Sequence, residues 1–227
     1  MGLHLIVFGG PGAGKGTQAI RLARARKIPH ISTGDIFRQH IEQGTALGRQ
    51  IQADITAGHL AQDEVACAIV AQRLTEGDCR AGYILDGFPR SVAQAQGFDE
   101  ILKHRGEELD LVINLQVDDE EIVARLSSRR VCHSCGAIFN LRFNPVLDDD
   151  HCEAAENGAH DLMHRPDDEE ETIRERLRIY YKTSEPVLAY YAQSGKLRHV
   201  AGMGSTPDDV FHKIESVIDA FEAACLS

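Results

Sequence analysis

Short β-branched and apolar runs along the chain are separated by longer stretches with helical spacing. Leu3–Phe8 is a run of the first kind. Gly9–Gly14 follows as a glycine-rich turn, and Gly16–Lys27 reads as a helix. Tyr83–Leu85 predicts a second buried strand, and Ser91–His104 a helix with one polar and one apolar face. Leu111–Leu115 predicts a third strand. Asp118–Arg130 predicts a helix with Ile122, Val123 and Leu126 on its apolar side. Leu197–Val200 is a last strand before a C-terminal helix, Pro207–Ala224. Strands that alternate with helices pair in parallel through right-handed crossovers. The predicted fold class is therefore α/β, an open parallel sheet with helices on both faces.

Two stretches break the alternation. Residues 32–61 look helical throughout, with Asp35 and Thr45 as helix starts and Gly44 and Gly58 as stops. Residues 131–165 hold Cys, His, Pro, Gly and the acidic run Asp148–Asp150, with no helical period. Both read as insertions mounted at one end of the sheet. The expected division is a core of residues 1–31, 62–130 and 166–227, with 32–61 and 131–165 inserted into it. The cluster Asp167–Glu171 reads as the first turn of a helix, where negative charge offsets the macrodipole.

Composition narrows the function classes. The chain has 227 residues, 43% of them hydrophobic and 26% charged, which excludes a disordered chain or a fibre. A formal net charge of −11 repels nucleic-acid phosphates and argues against a general nucleic-acid binder. A small phosphorylated ligand remains open, because a few basic residues can converge in one cleft. No apolar run approaches the ~20 residues of a membrane span, and the opening residues carry no secretion signal. The expectation is a cytoplasmic protein with no membrane partner and with reduced cysteines. Clustered cysteines are then metal ligands before they are disulfides.

The strongest motif is Gly9-Gly10-Pro11-Gly12-Ala13-Gly14-Lys15-Gly16-Thr17, after a strand and before a helix. Gly10, Gly12, Gly14 and Gly16 let backbone N–H groups, that of Ala13 among them, face inward, since glycine puts no side chain in the way. The helix adds its unpaired N-terminal amides, and Lys15 adds a mobile positive charge for a polyphosphate. Gly16 stands where a Mg-binding Ser or Thr usually follows the lysine, and Thr17 comes one residue later. Gly82-Tyr83-Ile84-Leu85-Asp86-Gly87-Phe88-Pro89-Arg90 places an acid at the carboxyl end of a buried strand, where ligands bind in open parallel sheets. Asp86 there can hold water on a Mg²⁺ that bridges phosphates. Cys132-His133-Ser134-Cys135, with Cys152 after sixteen intervening residues, is a spaced thiolate set suited to tetrahedral Zn²⁺ in a segment too small for its own core.

Gly9–Gln18, Ile31-Ser32-Thr33-Gly34-Asp35-Ile36-Phe37-Arg38 and Leu85–Gln94 together resemble the adenylate kinase family. Arg125, Arg129 and the stretch from Arg165 to Arg176 extend the match over nearly the whole chain. The resemblance implies a five-stranded sheet of the P-loop nucleoside monophosphate kinase type. Residues 32–61 would be an AMP-binding insertion and 131–165 a lid of the long form. It also implies a monomer whose partners are ATP, AMP and ADP, with Mg²⁺ on ATP, converting ATP and AMP into two ADP. Arg125 and Arg129, one helical turn apart, would join the glycine loop, Lys15 and Thr17 on ATP. Arg38, Gly87 and Arg90 would hold AMP. Arg165 and Arg176 would bind AMP as well and close over the transferred group, and Thr33 and Gln94 would contact the adenine. A solvated helix face is the plain alternative for Arg125 and Arg129, as are a helix start for Thr33 and a surface site for Gln94. A UMP/CMP kinase and a silent nucleotide-binding module are the alternative functions. In zinc-type lids the fourth ligand is a Cys or Asp three residues after the third cysteine. Here that position is Ala155, so Glu156 is the preferred substitute, ahead of His160, with His151 and Asp161 as further candidates. Both insertions are expected to move when substrates enter.

Overall fold

The centre of the molecule is the strand β1, Leu3–Gly9, and the reason is its unbroken apolar run: Leu5, Ile6 and Val7 are no more than 1% exposed. Alternate residues of a strand face opposite sides, so burial of all three requires cover on both faces of the sheet. The computed structural model describes residues 2–56, 62–142, 145–147 and 150–225. The predicted stop at Gly58 and the acids Asp148 and Asp149 lie outside them.

The described residues divide into two compact units. The first comprises residues up to Gly9, Gly14–Gln116 and Lys182 onward. Its elements after β1 begin with α1 (Lys15–Arg26), β2 (His30–Ser32), α2 (Thr33–Glu42), α3 (Ala46–Thr56) and α4 (Asp63–Leu74). β3 (Gly82–Asp86), α5 (Val92–Arg105) and β4 (Leu111–Gln116) follow. Five strands make an all-parallel sheet in the order β2-β3-β1-β4-β8, where β8 is Leu197–Ala201. The register pairs Val7 with Asp86 and Ser32 with the same Asp86, and Gly9 with Leu115. The carboxyl ends of β1, β2 and β3 therefore open at one edge. The C-terminal helix α8 (Pro207–Cys225) is fastened to α1. Gln18 donates to the Pro207 carbonyl at 2.9 Å, and Arg26 grips Asp219 at 2.7 Å and Glu222 at 2.9 Å.

The second unit comprises Gly10–Ala13 and Val117–Tyr181. It contains α6 (Asp119–Ser127) and a small antiparallel sheet, ordered β6-β5-β7, of β5 (Arg129–Cys132), β6 (Ile138–Asn140) and β7 (Leu162–Met163). Ile122, Val123 and Leu126 of α6 pack on Ile173 and Leu177 of α7 (Glu170–Gln193). Gly10 and Gly12 lie against this cluster. A Cβ on Gly10 would stand 3.1 Å from Ile122, and one on Gly12 only 2.6 Å from Leu126. Gly12 also has φ +75°, so both the space and the backbone demand glycine there.

The structure corrects several expectations. β2 and the small-sheet strands β5, β6 and β7 form where the sequence pattern predicts no strand. The Asp118–Arg130 helix stops at Ser127, and Arg129 opens β5 instead of lying one turn after Arg125 on the same helix. The Ser128 hydroxyl folds back onto the Ala124 carbonyl, Asn140 donates to the Arg125 carbonyl at 2.7 Å, and Arg129 pairs across the sheet with Asn140. Asp35 is not the start of α2. Ser32 is the cap, and its hydroxyl accepts the Asp35 amide at 3.2 Å. Thr45 does begin α3, accepting the Gly48 amide at 2.9 Å, after Gly44 turns the chain at φ +59°. The acidic cluster splits. Glu170 and Glu171 occupy the first turn of α7, but Asp167 and Asp168 form a preceding 3₁₀ turn.

Candidate active site

In the first unit the carboxyl edge of the sheet gathers residues from three strand ends. Lys15 is the first residue of α1. Its N-cap, Gly14, has φ 93° and offers no side chain to the helix, and no acid occupies the first turn. The positive end of the helix is thus left for an external anion. Asp86 closes β3, and its Oδ2 lies 3.4 Å from where a Cβ on Gly16 would stand. The same oxygen lies 3.4 Å from His30 Nε2. A carboxylate is therefore fixed beside the position where related loops carry a metal-binding hydroxyl.

Gly87 turns the chain at φ +80° directly after Asp86. Its carbonyl accepts from the Thr33 hydroxyl at 3.0 Å and from Arg90 Nε at 2.8 Å. Thr33 and Gln94 are both 2% exposed, so neither is a surface residue. The Gln94 amide is held at both ends: Oε1 accepts the Arg90 amide at 2.7 Å, and Nε2 donates to Asp63 at 2.9 Å. Arg38 pairs with Asp35 on α2. Burial works to raise the Asp35 carboxyl, but the hydrogen bonds from Arg38 and Ser32 prevail and hold it below the usual range. Asp63 lies near no recognisable motif, and sequence reasoning missed it.

In the second unit Arg129 and Arg176 meet on one carboxylate. Arg129 binds Asp168 in a two-pronged pair at 2.7 and 2.5 Å, and Arg176 Nη1 comes within 3.9 Å of the same group. Arg176 also donates to the Asp167 carbonyl at 2.8 Å and its carboxylate at 2.9 Å. Arg165 stands immediately before this turn, its carbonyl accepting the Asp168 amide at 3.0 Å. Asp168 is fully buried, a role its place in an acidic run concealed. Arg125 pairs with Glu121 one turn earlier on α6. The side chains of Arg129 and Arg176 thus meet at one turn, although they come from a strand and a helix, and Arg165 joins it through its main chain.

The cysteines of the small sheet come together as well. Cys132, Cys135, Cys152 and His160 place one ligand atom each within 4.8 Å of one another. Glu156, the preferred fourth ligand, is not in this group, and it is exposed. The turn Cys152–Gly158, closed by the Cys152 amide on the Gly158 carbonyl at 2.9 Å, leaves Glu156 outward and returns the chain at His160. The imidazole packs on Phe139 at 4.6 Å between ring centres. Tetrahedral zinc with Zn–S near 2.3 Å needs sulfur–sulfur edges of about 3.8 Å. The Cys132–Cys152 separation is 3.7 Å, and Cys135 Sγ lies 3.7 Å from His160 Nδ1. The donor set fits the ion. Burial disfavours the Cys132 thiolate, but hydrogen bonds from Cys135, His160 and the Ser134 amide win and draw it down to about 6, as a metal ligand requires. Burial, then the neighbouring Cys135 and Cys132, push Cys152 up.

Known proteins resemble this chain along most of its length. Residues 7–196 match the family model described as adenylate kinase. The chain is 46% identical over 206 residues to the adenylate kinase of Acetivibrio thermocellus, covering 91% of this chain and 94% of that one. It is 45% identical over 205 residues to the adenylate kinase of Moorella thermoacetica, covering 90% and 93%. Against the adenylate kinase of Archaeoglobus fulgidus the identity is 42% over 221 residues, covering 97% and 100%.

Proposed function

The chain belongs to the adenylate kinase family, and from that premise we propose which of its residues carry the reaction. The activity is reversible phosphoryl transfer from ATP, with its Mg²⁺, to AMP, giving two ADP. The reading of the site rests foremost on one observation: Lys15 opens a helix whose positive end has no side-chain cap, with the Asp86 carboxylate beside the same turn.

An AMP phosphate oxygen is already ionised at neutral pH, so the reaction needs no general base. The work is to bring two polyanions into line and keep water away. Lys15 and the loop amides from Gly10 to Thr17 hold the ATP phosphates, and Asp86 orients waters on the magnesium that ATP carries. Arg38 and Arg90 hold the AMP phosphate. Arg125, Arg129, Arg165 and Arg176 neutralise charge on the group in flight. Five guanidinium donors let each arginine exchange a carboxylate for a phosphate without losing its place. Thr33 and Gln94 contact the adenine, which favours AMP over UMP and CMP. A coupled assay with ATP across AMP, UMP, CMP and GMP tests this assignment. The expected result is turnover with AMP at least about 100-fold above the pyrimidine monophosphates. Preference for UMP or CMP would overturn it.

Zinc held by Cys132, Cys135, Cys152 and His160 has a structural part: it ties β5, the turn at Cys152 and the approach to β7 where few apolar residues are available. Metal analysis should find one zinc per chain, and stripping it should lower Tm by roughly 10 °C. His160→Ala should bind zinc more weakly, while Glu156→Ala should not. A metal-free chain of unchanged Tm would contradict the assignment. No helix among the described residues is long and apolar enough to cross a membrane. A cytoplasmic monomer is the reading that the family supports.

A further inference from the structure

Asp63 is the first residue of α4, and Ser91 caps α5. One carboxylate oxygen of Asp63 accepts two hydrogen bonds across that helix pair, from the Ser91 hydroxyl at 2.8 Å and from Gln94 Nε2 at 2.9 Å. The Ser91 hydroxyl in turn accepts the Gln94 amide at 3.0 Å, so its own proton goes to Asp63. On the far side, Gln94 Oε1 accepts the Arg90 amide at 2.7 Å. A carboxylate only accepts and a backbone N–H only donates. The side chain of Gln94 therefore has one allowed orientation. A half-turn of the amide would set its oxygen against the Asp63 carboxylate and its NH₂ against the Arg90 N–H. Two hydrogen bonds would be lost and two repulsive contacts made, in a residue 2% exposed where water cannot compensate.

The lock leaves one donor on Nε2 and one acceptor on Oε1, in a fixed order. That order distinguishes purines. Adenine presents an acceptor, N1, beside a donor, its 6-amino group. Hypoxanthine and guanine present the reverse, a protonated N1 beside a 6-oxo acceptor. A freely turning glutamine pairs with either edge, whereas a locked one pairs with only one. We propose that Asp63 is a specificity-positioning residue, which selects 6-amino over 6-oxo purine monophosphates by forbidding rotation of the Gln94 amide. This rests on the reading of Gln94 as the contact to the AMP base. Asp63 does not touch the nucleotide in this account. It acts through Gln94.

The test compares kcat/KM for AMP with that for IMP and GMP in the full chain with saturating ATP. Asp63→Ala removes the acceptor. Asp63→Ser, the variant least able to disturb the helix start, replaces it with a short hydroxyl that can donate or accept. Both should reduce the AMP:IMP ratio by about 10-fold or more, mainly through KM for the monophosphate, with KM for ATP within about 2-fold of wild type. Asp63→Asn can keep an acceptor oxygen in place and should hold the ratio within about 3-fold. A purely structural role would lower turnover on all monophosphates alike and leave the ratio unmoved. Gln94→Ala separates the two layers. If it raises KM for AMP while Asp63→Ala and Asp63→Ser keep the wild-type ratio, the lock is overturned and the base contact stands. Loss of discrimination in Asp63→Asn equal to that in Asp63→Ala would also overturn the lock. If Gln94→Ala leaves KM for AMP unchanged, the base contact itself falls, and the lock with it.

Discussion

Replacing Lys15 by methionine should lower kcat by about 10²–10³-fold, equivalent to about 3–4 kcal/mol of transition-state stabilisation. The side chain keeps its length and loses its charge. Nothing in α1 supplies a substitute, since its other basic residues are Arg21, which lies mid-helix and pairs with Asp208, and Arg24 and Arg26 in the last turn. Arg26 is already committed to Asp219 and Glu222. Fold should survive the change, because Lys15 is partly exposed and α1 is anchored by Ala19 and Leu22, both 0% exposed. Steady-state kinetics beside a thermal melt checks both halves. Turnover near that of wild type would count heavily against a lysine that stabilises the transferring phosphates.

The second large effect is on stability as well as rate. Arg129→Met strips the two-pronged partner from Asp168, whose side chain is 0% exposed, and leaves it only Arg176 at 3.9 Å. Breaking a buried pair from one side costs about 3–5 kcal/mol, because the remaining charge is stranded. For a chain of this size that is a fall in Tm of roughly 10 °C, accompanied by the loss of one phosphate contact. The double variant Arg129→Met with Asp168→Leu separates the two. Removing both charges should return most of the lost stability, since an apolar pair is often as good as a buried ionic one, but turnover should stay low. If the double variant recovers activity together with Tm, Arg129 is a scaffold residue and not part of the phosphate machinery.

Motifs that act within one short stretch were legible in the sequence. The loop Gly9–Thr17 sits between its strand and helix as expected, and Asp86 closes β3. Both depend on local backbone conformation, which glycine and neighbouring apolar runs dictate. Features set by distant partners were not legible. The helical period continues smoothly through Ser128 and Arg129, yet pairing with Asn140, eleven residues later in the chain, pulls Arg129 into a strand. β2 has three residues and β7 two, too short for any alternation to register. In the run Asp167–Glu171 every residue suits a helix start, and only the tertiary fold singles out Asp168 for burial beneath two arginines. The fourth position of the cysteine cluster follows the same rule. Spacing favoured Glu156, but the hydrogen-bonded turn after Cys152 decides which side chain comes back, and it is His160.

The central claim is that a chain of net charge −11 directs a few cations onto two nucleotides and passes phosphate between them without water. Phosphorus NMR of the protein with equimolar MgATP and AMP tests it most directly. Two ADP should appear for every AMP consumed, with no inorganic phosphate. Inorganic phosphate rising while the AMP signal stays constant would contradict the account.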